Sequence, residues 1–97
     1  MSPAFRLTVT ARRRLKAIAD YTEKTWGREQ RNTYLAELDA GFHYLAGRPD
    51  RGRARPELAD GVFSYHLKRH TIFYQIKAGH IAIVDILHDR MDPARHL

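Results

Sequence analysis

The spacing of apolar residues changes once along this chain, and that change constrains what it can fold into. Ala11, Leu15, Ile18, Thr22 and Trp26 recur at steps of four, three, four and four, the pattern of one helix face. A second helical stripe follows at Tyr34, Leu38, Phe42 and Leu45, with Leu35 beside it. Gly27 lies between the two stripes, at a position suited to stopping the first helix, so the expectation is two antiparallel helices forming a hairpin. Beyond Asp60 the period becomes two. Phe63, Tyr65 and Leu67 alternate with Ser64, His66 and Lys68, and Ile72, Tyr74 and Ile76 share a face of the next run.

The punctuation completes the outline. Ala4 to Val9 is a short β-rich run, with Thr10 as the expected cap of the first helix. Pro49, Gly52, Pro56 and Gly61 break any helix, so Gly47 to Asp60 reads as a connection. Arg69-His70 and Ala78-Gly79 read as turns, Ile81 to Leu87 as a central strand apolar on both faces except at Asp85, and Met91 to Leu97 as a short tail with a helical turn. The fold class is α+β in the order β-α-α-β-β-β: an N-terminal strand, a helical hairpin, then a three-stranded antiparallel meander with both helices on one sheet face. At 97 residues there is room for one core, so residues 1–97 are expected to form a single domain.

Composition narrows the functional classes. The longest apolar run is Ile81 to Val84 and the mean hydropathy is −0.56, which argues against a transmembrane helix. MSPAFRLTV has no basic stretch followed by an apolar one, so no secretory signal is expected. The absence of cysteine excludes disulfides and thiolate chemistry and is in keeping with a cytoplasmic location. Lys plus Arg is 17 against 11 acids, a net charge of +6 carried mostly by arginine, whose planar fork suits carboxylate and phosphate. The expected partner is a polyanion, either nucleic acid or an acidic protein segment.

Several residues stand out as candidates. Arg12, Arg13 and Arg14 crowd the first turns of the first helix, where the helix dipole disfavours cations. They form either an anion-docking patch or a solvated face. Arg48, Arg51, Arg53 and Arg55 lie in the Gly/Pro-rich connection, to grip an anionic partner or to pair with Glu57 or Asp60. Of the six histidines, none forms a metal-ligand pattern, and no metal or other cofactor is expected. His88 ends the central strand beside Asp89 and Arg90; it serves either proton transfer in RNA cleavage or a backbone hydrogen bond that fixes the tail. Asp85, if it faces inward, needs an arginine partner. Tyr65 and Tyr74 are the strand aromatics available to stack on a base.

Together these residues carry a resemblance. Tyr21, Trp26-Gly27, Leu45-Ala46, Pro49, Gly52 and Arg53, then Glu57-Leu58, Gly61 and His70-Thr71-Ile72-Phe73-Tyr74, are similar in order and kind to the ParE toxins. The match closes with Leu87-His88-Asp89-Arg90-Met91-Asp92 and His96-Leu97. The resemblance implies a RelE/ParE-like fold and a type II toxin neutralised by a ParD-type antitoxin with an acidic, partly disordered segment. It further implies growth arrest by binding and poisoning DNA gyrase, without a catalytic centre, through a C-terminal region that maps onto His88, Arg90, Met91, Asp92, Arg95 and His96.

For the antitoxin, charge complementarity points to Arg12, Arg13, Arg14, Arg53, Arg55 and Arg69, together with the exposed sheet face. The alternative is the RelE branch, ribosome-dependent mRNA endoribonucleases, for which His88, Arg90, Arg69 and Tyr74 would be the catalytic set. Two features depart from that branch: the tail ends Ala94-Arg95-His96-Leu97 without a terminal tyrosine, and the last strand carries the acid Asp85, which departs from the usual ParE-like pattern as well.

Overall fold

The computed structural model describes residues 4–97, so the first three residues of the N-terminal stretch read above lie outside it. Strand β1 (Ala4–Leu7) leads into helix α1 (Val9–Trp26), and helix α2 (Arg28–Gly47) follows after Gly27 alone. Gly27 has φ of 95°, a left-handed value that a side chain would disfavour, and it lets the chain reverse without a longer loop. Glu23 meets Arg31 at 2.5 Å and Arg28 at 3.8 Å across this corner. A 3-10 turn at Pro49–Arg51 and a two-residue strand β2 (Arg53–Ala54) occupy the connection. Strands β3 (Val62–Leu67), β4 (His70–Lys77) and β5 (His80–His88) form the meander, and a last helical turn, α3 (Pro93–His96), ends the chain.

The sheet order is β1-β5-β4-β3-β2, with β1 parallel to β5 and the other pairs antiparallel. The central position expected for the last strand is therefore correct. Helix α1 lies on β5, and α2 on β1 and β5. Between helices and sheet sits the main core: Ile18 of α1, Leu38, Phe42 and Leu45 of α2, and Ile72, Tyr74, Ile81, Ile83 and Ile86 of the sheet. The opposite sheet face carries a second, smaller cluster of Val62, Phe73 and Leu87, covered by Leu58, Ala59, Met91 and Leu97. Thus the connection and the tail, which have no apolar period, serve as the lid of a second layer.

Four local expectations are corrected. The first helix is capped by Thr8, not Thr10: its Oγ1 accepts from the Ala11 N–H at 3.1 Å and donates to the Val84 carbonyl, also at 3.1 Å. Strand β1 consequently stops at Leu7. Trp26 leaves the apolar stripe and is 60% exposed, as the last residue of α1. The β3–β4 turn is Lys68-Arg69 rather than Arg69-His70, with Lys68 at φ 56°. His70 therefore belongs to β4 and is buried. The connection, read as irregular, contributes an edge strand because Arg53 and Ala54 pair with Ser64 and Phe63.

Candidate functional site

One end of the sheet gathers polar side chains from four elements. His88 is the last residue of β5 and pairs in register with His70, the first residue of β4. Their rings meet edge to face with centroids 5.2 Å apart. On the helix side, the Tyr34 hydroxyl of α2 lies 2.5 Å from Nδ1 of His70, and both residues are buried. Burial and the nearby His88 hold His70 down to about 4, with Asp89 opposing, so this imidazole is neutral near neutral pH. Burial likewise raises the Tyr34 hydroxyl, which keeps its proton. Across the sheet edge, His66 Nε2 meets Asp89 at 3.0 Å.

This polar end directs the C-terminal segment. The Asp89 N–H donates to the Arg69 carbonyl at 3.0 Å, the Arg90 N–H to Nδ1 of His88 at 3.1 Å, and the Met91 N–H to the His88 carbonyl at 2.8 Å. Three successive amides are thereby committed, and the chain turns back over the sheet. Met91 and Leu97 pack on the second core, while Asp92 caps α3 by accepting from the Ala94 N–H at 3.1 Å. Arg90, Asp92, Arg95 and His96 remain exposed on this anchored segment. A shallow cavity of about 120 Å³ opens beside it, between Thr71, Phe73, Leu87, His88, Met91 and Pro93.

Of the residues named as a nuclease set, Arg69, His88 and Arg90 meet at this end, and Tyr74 does not join them. Tyr74 pairs with Ile83 in mid-sheet, is fully buried, and donates its hydroxyl to the Pro49 carbonyl at 2.7 Å. It stacks on Phe63 rather than facing solvent. Tyr65 is half-buried against Tyr44. Among the described residues, no group of three or more His, Asp or Glu side chains is arranged to hold a metal ion.

The arginines divide by what they touch. Arg12, Arg13, Arg53 and Arg69 are exposed and make no ion pair among the described residues. Arg14 instead reaches the buried Asp85, with Nε 3.0 Å from Oδ1, and Oδ1 also accepts the Ile86 N–H at 2.8 Å. Arg55 is tied to Glu57 at 2.7 Å and to the Ser64 hydroxyl at 3.2 Å. The hydrogen bond from Arg55 lowers the Glu57 carboxyl below its usual range. The inward reading of Asp85, with an arginine partner, is the one the structure bears out.

Sequence reasoning singled out neither Tyr34 nor His66, and it placed His70 in a turn. The place of His70 and the role of Tyr34 each had a signal, and His66 had none. The alternation of Tyr74 and Ile72 continues back to His70 on the same face, and a tyrosine on an apolar helix stripe needs a polar partner for its hydroxyl.

Comparison with known proteins agrees with this geometry. The family model of the ParE toxin of the type II toxin–antitoxin system parDE matches residues 5–93. Toxin ParE1 of Mycobacterium tuberculosis (strain H37Rv) is 37% identical over 98 residues, covering 100% of both chains. Among solved structures, the chromosomal ParDE system of P. aeruginosa shares the fold, with a TM-score of 0.76 at 21% identity over 90% of this chain and 96% of that one. The RelBE2 toxin–antitoxin complex of Mycobacterium tuberculosis superposes with a TM-score of 0.63 at 25% identity, covering 94% and 95%.

Proposed function

This chain belongs to the ParE toxin family of type II toxin–antitoxin systems, and we propose that it arrests growth by binding DNA gyrase through residues 88–97. The observation that carries the reading is the anchored segment, which presents charged side chains of both signs. Met91 and Leu97 fix the chain to the second core while Arg90, Arg95 and His96 project into solvent. A pre-ordered projection loses little conformational entropy on docking, so its contacts are retained as affinity. The buried Tyr74 favours binding over the cleavage alternative, since its hydroxyl is already used by Pro49. The meeting of Arg69, His88 and Arg90 is the one feature that favours cleavage.

Neutralisation is assigned to a ParD-type antitoxin with an acidic segment. Supporting this are Arg12, Arg13, Arg53 and Arg69, unpaired among the described residues, and the helix-side face of β3, which α2 covers only in part. Phe63, Tyr65 and Leu67 are left half-buried there, with Tyr44 exposed alongside. An extended segment alternating apolar and acidic residues fits such a face. The related RelBE2 structure is itself a toxin–antitoxin complex. Arg53→Glu is the clean test of this surface, because Arg55→Glu would also break the contacts with Glu57 and Ser64. Weaker capture by the antitoxin is the expected result of Arg53→Glu; unchanged capture would remove that edge from the interface.

The target is tested by incubating gyrase with plasmid DNA and ATP, with and without the purified toxin, then digesting protein and resolving linear DNA. Accumulated linear DNA is expected. Undiminished supercoiling with no linear product would overturn the assignment. Cleaved message on translating ribosomes would then transfer the function to the RelE-like alternative.

A further inference from the structure

The Tyr34–His70–His88 chain lies outside both proposed surfaces, yet it sits directly behind one of them. Two links are hydrogen bonds of defined direction, and between them His70 meets His88 ring edge to ring face. The Tyr34 phenol retains its proton and Nδ1 of the neutral His70 lies within its reach, so the phenol donates to that nitrogen. His88 Nδ1 accepts the Arg90 N–H, so its own ring proton resides on Nε2. Both imidazoles thus accept at Nδ1. A proton on Nδ1 of His70 would turn the first bond round, with the phenol oxygen accepting, and would place a charge behind the second. The second of them is one of the three amide bonds that turn residues 89–91 toward the second core.

We propose that Tyr34 and His70 are positioning residues for the C-terminal segment: acting through His88, they hold residues 89–97 in the orientation that meets the target, and protonating His70 releases it. This rests on the reading that the segment binds the target. The groups facing the pair are Tyr34 and Glu37 from α2, Arg69 from the β3–β4 turn, and Asp89 from the end of β5. Glu37 and Asp89 are already engaged by Lys68 and His66. A proton on His70 therefore enters a buried place beside a second imidazole, with no free carboxylate to receive it.

The test is amide hydrogen exchange, expressed as protection factors, on the wild type and on Tyr34→Phe, which keeps the ring in the core. Protection at Asp89, Arg90 and Met91 is expected to fall roughly tenfold, the scale of one buried hydrogen bond, while Ile72 to Tyr74 stay protected. More variant than wild type is then needed to trap the same amount of cleaved DNA.

Unchanged protection at residues 89–91 in Tyr34→Phe would overturn the proposal. Lowered protection together with a wild-type protein that traps no gyrase would uphold the positioning role and remove the gyrase reading. If the variant loses protection everywhere, a wild-type pH series decides. Loss at residues 89–91 ahead of the strands as the solution is acidified supports the latch, and simultaneous loss overturns it.

Discussion

Asp85 places a carboxylate in the middle of a five-stranded sheet at 1% exposure, and its partner lies 71 residues away on α1. The local register explains how they meet. Phe73 pairs with Asp85 and Tyr74 with Ile83, leaving Val84 as an extra residue, and such a bulge re-aims the side chains beside it. Arg14→Met strands the charge. It is expected to cost about 3 kcal/mol in urea unfolding, the low end for a broken buried pair, since Arg14 is itself 27% exposed. Adding Asp85→Asn should recover most of that loss, because an amide oxygen still accepts the Ile86 N–H and needs no counter-charge. That an inward Asp85 needs an arginine was legible from its apolar neighbours; which arginine was not, because the bulge and the packing of α1 are set by distant residues. Gly52 shows the same limit. A β-carbon there would lie 2.0 Å from the Tyr74 hydroxyl, so Gly52→Ala should displace Tyr74 from Pro49 and destabilise by about 2 kcal/mol.

Elements defined by long apolar periods were readable, and those defined by a single cap or pair were not. The stripe Tyr34, Leu38, Phe42, Leu45 is wholly buried, as its spacing requires. Where α1 begins depended on Thr8 rather than Thr10, two hydroxyls that sequence alone does not distinguish. Only the fold supplies the Val84 carbonyl that makes Thr8 a tie between the start of α1 and β5. Thr8→Val should therefore remove both the cap and the tie, costing about 1–2 kcal/mol by thermal or urea unfolding, whereas Thr10→Val on the exposed face should be nearly neutral. The second core escaped sequence reading for a related reason: Leu58, Met91 and Leu97 are isolated apolar residues in irregular segments, with no period to reveal that they share a surface. The candidate site was half legible. His88, Arg90 and Arg69 were named and do converge, but the pairing of His70 with His88 follows from a turn at Lys68-Arg69 that was placed one residue late. The anchoring also changes how the tail is tested. Deleting residues 90–97 uncovers the second core, so the informative variant is Arg90→Glu with Arg95→Glu. It should abolish trapping of gyrase-cleaved DNA in the plasmid assay and leave the midpoint of thermal unfolding nearly unchanged.

For the molecule as a whole, stability should be dome-shaped in pH, bounded on the acid side by one buried histidine. His70 is held down to about 4 in the folded state against an ordinary 6.5, so the unfolded chain takes up this proton first as the solution is acidified. Stability then falls progressively between those values, by about 3 kcal/mol in all, and this contribution is fully spent below the lower one. On the alkaline side, Tyr34 and Tyr74 are both raised above 10 by burial, so the unfolded chain loses these protons first and stability falls again as pH rises past that value. Urea unfolding across the range checks both limbs. In His70→Asn the acid limb should flatten while the alkaline limb remains; equal slopes in variant and wild type would place the acid sensitivity elsewhere. Because the chain carries a net charge of +6, the comparison belongs at fixed ionic strength, where self-repulsion among the exposed arginines is screened equally in both proteins.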